Sequence, residues 1–311
     1  MSTVPTGEVV LAVDIGGTKV DAALVASDGS VREHSRHRAP TGKGATREAL
    51  LSSLDAVIQS TLDTLSPEDT LIGTGIGSAG PISLIDNSVS PLNLPVLRNF
   101  LLRDFIQQRA DVPTSLRLDG TCIALAENWL GSTRGAVNAL SMVVSTGVGG
   151  GLILNGRLFS GDTGNAGHIG QIQVSSRQSG SSSESASLEH LASGPRVVAW
   201  AQRQGWKGTS GEDLARDYAA GVPVALDAVR RSTTAVGEAI TSVATLLDVH
   251  QVSIGGGFAH VAPDYIDLVM ATIAECAIVD YARSVIVARS GLSDNGPLIG
   301  AAALIHRQDL L

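Results

Sequence analysis

Large rings are scarce in this sequence: Trp, Tyr and Phe together make up 3% of its 311 residues, while the AVILMFWYC set reaches 43%. The core must then be filled by Ala, Val, Leu and Ile, side chains that suit helices packed closely on sheets, so an α/β protein is expected. Cysteine is nearly absent. Cys122 and Cys276 stand far apart in helix-like segments, which argues against a disulfide framework and makes reduced thiols the default. Basic residues are outnumbered, with 22 Lys and Arg against 30 Asp and Glu, for a formal charge of −8 and a pI near 5.3. Such a balance argues against nucleic acid as a partner. Although the mean hydropathy is +0.20, no apolar run approaches the roughly 20 residues that span a bilayer. The opening residues MSTVPTGE carry neither a basic n-region nor an apolar h-region. A cytoplasmic protein with no membrane partner is expected.

What the chain does have is glycine, 35 residues of it, some of them grouped in turns after apolar strands. The first follows the apolar strand Glu8–Asp14 and reads Asp14-Ile15-Gly16-Gly17-Thr18-Lys19 before a second apolar strand. Paired glycines let the backbone turn tightly and leave bare N–H groups of the kind that receive phosphate oxygens. Asp14 stands where a carboxylate can hold a hydrated Mg²⁺, and Thr18 and Lys19 add a hydroxyl and a positive charge. An ordinary hairpin with a Gly-Gly turn reads equally well from this motif alone. Two further turns follow later, Ser145-Thr146-Gly147-Val148-Gly149-Gly150-Gly151 and Ile254-Gly255-Gly256-Gly257.

The length suffices for two domains of ordinary size. Strands are expected at 8–14, 20–25 and 31–37, a helix over 49–65 from the spacing of Leu50, Leu54, Val57, Ile58 and Leu62, and a buried strand at 70–77. A helix at 99–109, a strand at 112–118 and a helix at 120–130 follow, with Asp119 at the strand-to-helix junction, where an N-cap role suits it as well as a catalytic one. Asn155-Gly156 predicts a hairpin between 151–154 and 157–159. Residues 175–187, SSRQSGSSSESAS, read as a mobile loop. Helices are expected at 188–204, after the Ser210-Gly211-Glu212-Asp213 capping box, at 224–249, 263–277 and 297–307, with a strand at 285–288.

Three glycine turns in this order resemble the nucleotide site of the actin-like sugar kinases, and the residues around them are similar to those of the ROK family over nearly the whole chain. The resemblance implies an α/β, actin-like ATPase (ribonuclease H-like) fold, with two domains around a cleft. The smaller comprises 1–118 plus 298–311 and the larger 119–297. It implies an ATP-dependent kinase of a sugar hydroxyl, with ATP and Mg²⁺ held at Asp14, Gly16, Gly17, Thr18, Lys19, Thr146, Gly147, Gly149, Gly255 and Gly256, and Asp119 as general base. Gly80, Asn93, Asp119 and Glu189 match sugar-lining positions, and a homodimer or higher homo-oligomer is expected. No helix-turn-helix precedes the first strand, unlike the family's repressors.

The departures from the family pattern carry information too. Gly167-His168-Ile169-Gly170-Gln171 stands in place of Gly-Glu-x-Gly-His, so His168 and Gln171 replace the pair that bridges sugar and zinc. Gly180 to Ser187 holds the spacing of the family's zinc cysteines but contains no thiol, and Leu118 replaces an Asn beside the base. In place of glucose, the expected acceptor either lacks a hydroxyl near Leu118, which would face it, or carries an acidic or acylated group that His168 and Gln171 could meet as donors. The alternative is a catalytically weak sugar-binding or regulatory protein of the same fold. Serine hydroxyls do not replace thiolates on Zn²⁺, so elemental analysis of the purified protein should find well under one zinc per chain; one chelation-resistant zinc per chain would overturn this.

Overall fold

The computed structural model describes residues 7–41, 44–174, 186–292 and 294–311. The low-complexity stretch 175–187, except for Ala186 and Ser187, lies outside the described residues. In chain order the elements are β1 (Glu8–Ile15), β2 (Lys19–Ala26), β3 (His37–Pro40), α1 (Arg47–Leu62), β4 (Thr70–Ser78), β5 (Ile82–Ser83), β6 (Ser88–Val89), α2 (Leu102–Ala110), β7 (Thr114–Leu118) and α3 (Asp119–Leu130). There follow β8 (Ala139–Val144), β9 (Val148–Leu154), β10 (Arg157–Phe159), α4 (Leu188–Ala192), α5 (Gly194–Arg203), α6 (Gly211–Ala219) and α7 (Pro223–Leu247). The chain ends with β11 (Gln251–Gly255), α8 (Tyr265–Cys276), α9 (Asp280–Arg283), β12 (Ile286–Arg289) and α10 (Gly296–His306).

Contacts divide the chain into two compact units. One comprises residues 1–135, 151–167 and 292–311, the other 136–150 and 168–291. Where the sequence reading puts the crossing after Leu118, the contacts carry α3 with the first unit, because it packs on β4 and α10.

The sheet of the first unit has the order β3-β2-β1-β4-β7. β1 pairs antiparallel with β2 and parallel with β4, and β4 parallel with β7. Alternation along these strands makes two unlike faces. One presents Leu11, Val13, Ile15, Ile76, Leu116 and Leu118 to α1 and α2, whose Leu50, Leu54, Ile58, Leu102 and Ile106 complete a closed aliphatic core. Thr46 caps α1 by accepting from the Ala49 N–H at 3.2 Å. The other face is nearly bare, since Gly73, Gly75 and Gly77 of β4 pair with Val10, Ala12 and Asp14 of β1. There α10 and α3 approach so closely that a Cβ on Gly75 would overlap the Ala301 carbonyl, and one on Gly300 the Cys122 carbonyl.

The second sheet has the order β10-β9-β8-β11-β12, with β8, β11 and β12 parallel. Asn155 and Gly156 both take positive φ, 55° and 74°, and deliver the tight hairpin between β9 and β10 that the dipeptide predicts.

Two expected elements differ. The strand at 31–37 is instead a single Val25–Val31 bridge, a 3₁₀ turn at Glu33–Ser35 and then β3. The Ser35 hydroxyl takes the Leu24 N–H at 2.8 Å, doing for β2 what a strand backbone would otherwise do. The helix at 188–204 breaks at Ser193, which is extended (φ −69°, ψ 144°) ahead of Pro195, because proline fits only in a helix's first turn.

Because the atoms facing Gly75 and Gly300 are backbone, they cannot give way. Gly75→Ala and Gly300→Ala should each destabilise the protein by roughly 3 kcal/mol or more. Gly149→Ala, whose methyl group would meet nothing within 4 Å, should move the thermal midpoint by no more than about 2 °C. Equal midpoints for all three variants would show that the helices do not depend on the bare face.

Candidate active site

In the first unit the expected residues are brought together. Asp14 and Gly77 are register partners on the bare face, and the Asp119 Cα lies 3.6 Å from where a Gly77 Cβ would stand. The start of α3 therefore sits over the end of β1. The Gly16 N–H closes the turn on the Lys19 carbonyl at 3.0 Å, and Thr18 accepts from the Thr41 N–H at 3.0 Å. A Cβ on Gly17 would be 3.1 Å from the Asn93 Cβ, so a residue read as phosphate-binding touches one read as acceptor-lining. Gly80, before a cis bond to Pro81, accepts from the Leu92 N–H at 3.1 Å, tying its turn to the segment that carries Asn93. Asp119 accepts from the Gly120 N–H at 2.7 Å and occupies the first turn of α3.

Electrostatics single out Asp14. Burial, then the neighbouring Asp119 carboxylate and more weakly that of Asp21, push its pKa up to about 7 against the pull of Lys19 and Arg38. Beside it, Asp21 accepts from Arg36 Nε and Nη2 at 3.1 and 2.7 Å and from Arg38 Nε and Nη2 at 3.0 and 2.5 Å. Burial alone would raise the Asp21 pKa, but these charged donors outweigh it and hold the carboxyl below its usual range. Arg36 is tethered further, to Asn295 Oδ1 at 2.6 Å. Cys122 is buried under Gly77, and its thiol is pushed up by burial and then by Asp14 and Asp119, so it stays protonated. Two carboxyls, one of them desolvated enough to hold a proton near neutrality, make a donor set that suits a divalent cation. Among the described residues no group of three or more His, Cys, Asp or Glu side chains forms a metal cage.

Leu118, expected to face the acceptor, is instead 2% exposed, on the core face beside Leu116 and Ile76. The residue that replaces the family's Asn is therefore a core residue, and its effect on the acceptor is not a direct contact.

In the second unit, the Glu189 Oε2 accepts from the Val148 N–H at 2.9 Å and lies 2.8 Å from where a Gly147 Cβ would be. One oxygen of that carboxylate thus braces the second glycine turn. His168 is half-buried and Gln171 exposed; the Gln171 N–H closes a 3₁₀ turn on the His168 carbonyl at 3.0 Å. Gly256, with φ 95°, leaves no room for a side chain against the Val144 carbonyl. A cavity of about 550 Å³ opens in this unit beside Ser145, Thr146 and Gly257. It is also lined by Gly194 and Pro195 at the start of α5, Ser210 to Glu212 at the start of α6, and Phe258. Of the residues in these glycine turns expected to bind nucleotide, Thr146 lines this cavity; Gly147 and Gly256 lie in the turns next to it, while Gly149 and Gly255 are strand residues of β9 and β11 and do not line it.

Sequence reasoning passes over Asp21, Arg36, Arg38 and the cavity walls. A charged residue inside the otherwise apolar KVDAALVA strand, and the Arg-x-Arg at 36–38, were the available signals for the first three. The capping box is legible, and Ser210 does accept from the Asp213 N–H at 3.1 Å, but nothing local shows that its helix opens on a cavity.

The chain matches the ROK family over residues 10–308. It is 32% identical over 266 residues to the N-acetylmannosamine kinase of Escherichia fergusonii, covering 85% of this chain and 88% of that one. Among solved structures, the ROK hexokinase of Thermus thermophilus is 27% identical with a TM-score of 0.76, covering 94% of this chain and 96% of that one. The ROK glucokinase of Streptomyces griseus, in complex with glucose and AMPPNP, superposes with a TM-score of 0.81 at 24% identity, covering 96% and 99%. These likenesses place the fold among the actin-like ATPases. Among the described residues no helix is long and apolar enough to cross a membrane.

Asp14 holds a proton in the folded protein between about pH 4 and about pH 7, where the unfolded chain has released it. Cation-free stability should therefore fall as pH rises through that window, by up to about 1.4 kcal/mol per pH unit from this group. Asp14→Asn cannot ionise. Its denaturation midpoint should equal the parent's near pH 4 and exceed it increasingly up to pH 7; parallel curves for the two proteins would show that Asp14 is not strained by ionisation.

Proposed function

The chain belongs to the ROK family, and we propose that within it this protein is an ATP-dependent kinase acting on a hydroxyl of an N-acylated hexosamine of the N-acetylmannosamine kind. The observation that carries this reading is the convergence, within the first unit, of Asp14, the Gly16-Gly17 turn, Asn93 and Asp119. Phosphoryl transfer asks for a phosphate cradle, a cation and a carboxylate that accepts the proton of the attacking hydroxyl. The Gly-Gly turn supplies the amides of the cradle, with Thr18 and Lys19 beside it. Asp14 would hold Mg²⁺, which supplies charge neutralisation on the phosphates when bound.

Asp119 is the general base in this reading. As the acceptor oxygen bonds to the γ-phosphorus, the bond from that phosphorus to the bridging oxygen of ADP breaks, ADP departs, and the hydroxyl proton passes to the Asp119 carboxylate. The start of α3 holds the ionised form of that carboxylate, since its dipole and the Gly120 N–H both favour negative charge. A nucleoside would fit the cavity of the second unit beside Thr146 and Gly257, which has the volume of a small-molecule site.

The acceptor class rests on His168 and Gln171 together with the N-acetylmannosamine kinases among the relatives. Both side chains can donate N–H groups of the kind an acyl carbonyl accepts. Glu189 keeps one carboxylate oxygen for a hydroxyl, the other being engaged by Val148.

With MgATP, kcat/KM for N-acetylmannosamine should exceed that for glucose by about ten-fold or more, because a mismatched buried polar group costs roughly 1–3 kcal/mol. Asp119→Asn should lower kcat by about 10²–10⁴-fold while leaving the affinity for MgATP unchanged. A parent enzyme that prefers glucose would refute the acceptor class, and near-parent turnover by the Asn variant would refute the base.

A further inference from the structure

The turn that follows β4 is held from outside by one side chain. The Asn165 Oδ1 accepts from the Ile82 N–H at 2.9 Å, and the Asn165 Nδ2 donates to the Ile82 carbonyl at 2.8 Å. One planar amide thus satisfies both polar groups of Ile82, as the backbone of a neighbouring strand would. On the far side Ile82 is the register partner of Val89 in the β5-β6 pair. The Pro81 carbonyl accepts from the Ser90 N–H at 2.9 Å, and the Gly80 carbonyl from the Leu92 N–H at 3.1 Å. Residues 80–93 are therefore a small flap, with β6 closing one edge and the Asn165 side chain the other.

The loop around Asn165 is fitted to that task. The Asn165 Nδ2 also reaches the Thr163 Oγ1 at 3.1 Å, and the Ala166 N–H closes the loop on the Ser160 carbonyl at 3.1 Å. Gly164, with φ 88°, lies so near Leu84 that a Cβ would stand 2.5 Å from its Cγ. All of these residues belong to the first unit.

We propose that Asn165 is a positioning residue for acceptor recognition: by bridging both backbone groups of Ile82 it fixes the flap that carries Gly80 and Asn93. The inference rests on the reading above in which those two residues meet the acceptor. The Asn165 amide is engaged by Ile82 and Thr163, so its loss weakens acceptor binding and leaves the chemistry of the bound sugar intact. An amide is required because it alone, at this length, both donates and accepts. Aspartate keeps the Ile82 N–H bond but turns the second contact into one between a carboxylate and a carbonyl oxygen.

The test is steady-state kinetics with N-acetylmannosamine and MgATP on the parent, Asn165→Leu and Asn165→Asp, together with hydrogen exchange at the Ile82 amide. Asn165→Leu should raise the acceptor KM about ten-fold or more, with kcat at saturating sugar and the KM for MgATP both within about two-fold of the parent. Ile82 exchange should quicken markedly. Asn165→Asp should fall between the two in acceptor KM and keep Ile82 partly protected; being nearly isosteric, it carries the test if the Leu variant does not fold. An active parent whose variants keep the parent acceptor KM, or whose loss lies in kcat alone, overturns the positioning role, as does unchanged Ile82 exchange. A parent that phosphorylates no hexosamine refutes the functional reading and the acceptor role with it, whereas slow Ile82 exchange lost in Asn165→Leu would still assign the clamp.

Discussion

The candidate site exists because on one face of the first sheet β4 carries no side chains from Gly73 to Gly77. Gly73, Gly75 and Gly77 alternate along β4 beside Val10, Ala12 and Asp14 of β1. Two helices can then lie against the strands at backbone distance, and the contact of Gly300 with the Cys122 carbonyl packs α10 against α3 as tightly as either packs on the sheet. Close-packed interiors transmit such constraints, because neither partner has a flexible side chain to absorb a shift. The start of α3 is therefore fixed over the end of β1, and with it the spatial relation of Asp119 to Asp14. A sheet with ordinary residues on this face would hold α3 further away and separate the two carboxyls.

Burying Asp14, and then placing Asp119 beside it, has an electrostatic cost: its pKa rises to about 7. The neighbouring Asp21 shows how the same fold handles a carboxylate it keeps charged: four guanidinium N–H donors from two arginines surround it. The contrast between these cross-strand neighbours separates structure from function. Asp21 is satisfied and anchors β3 to β2. Asp14 is buried too, but among the described residues no arginine donates to it, which agrees with the proposed role of holding a cation.

The second unit supplies a different kind of feature, a cavity lined by the first residues of two helices. Ser193 ends α4 and begins α5 by turning extended ahead of Pro195, and Ser210 caps α6. Both helix starts border the same space as Thr146 and Gly257. The positive ends of two helix dipoles meet this space, although the Gly194 N–H is taken by the Ser145 carbonyl and the Asp213 N–H by Ser210. Glu189 belongs to this framework as well as to the acceptor pattern, because it braces the turn at Val148.

Much of this was legible in the sequence alone. The α/β class, the hairpin at Asn155-Gly156, the apolar stripe of α1, the cap at Ser210 and the three glycine turns are local properties, set by spacing and by the φ values that particular residues allow. Asp14 and Gly17 could be named from the Gly-Gly turn after the first strand, and Asn93 and Asp119 from the resemblance to the ROK family. Only the tertiary structure could decide what surrounds them. Leu118 is a core residue and not a pocket wall, because the strand parity of β7 is read against a sheet and two helices that lie far away in sequence. The Asp21–Arg36–Arg38 cluster, the state of Asp14 and the grip of Asn165 on Ile82 depend likewise on register and burial between distant segments. Local sequence determines the conformations available to each segment; which charges end up desolvated beside one another is decided by packing.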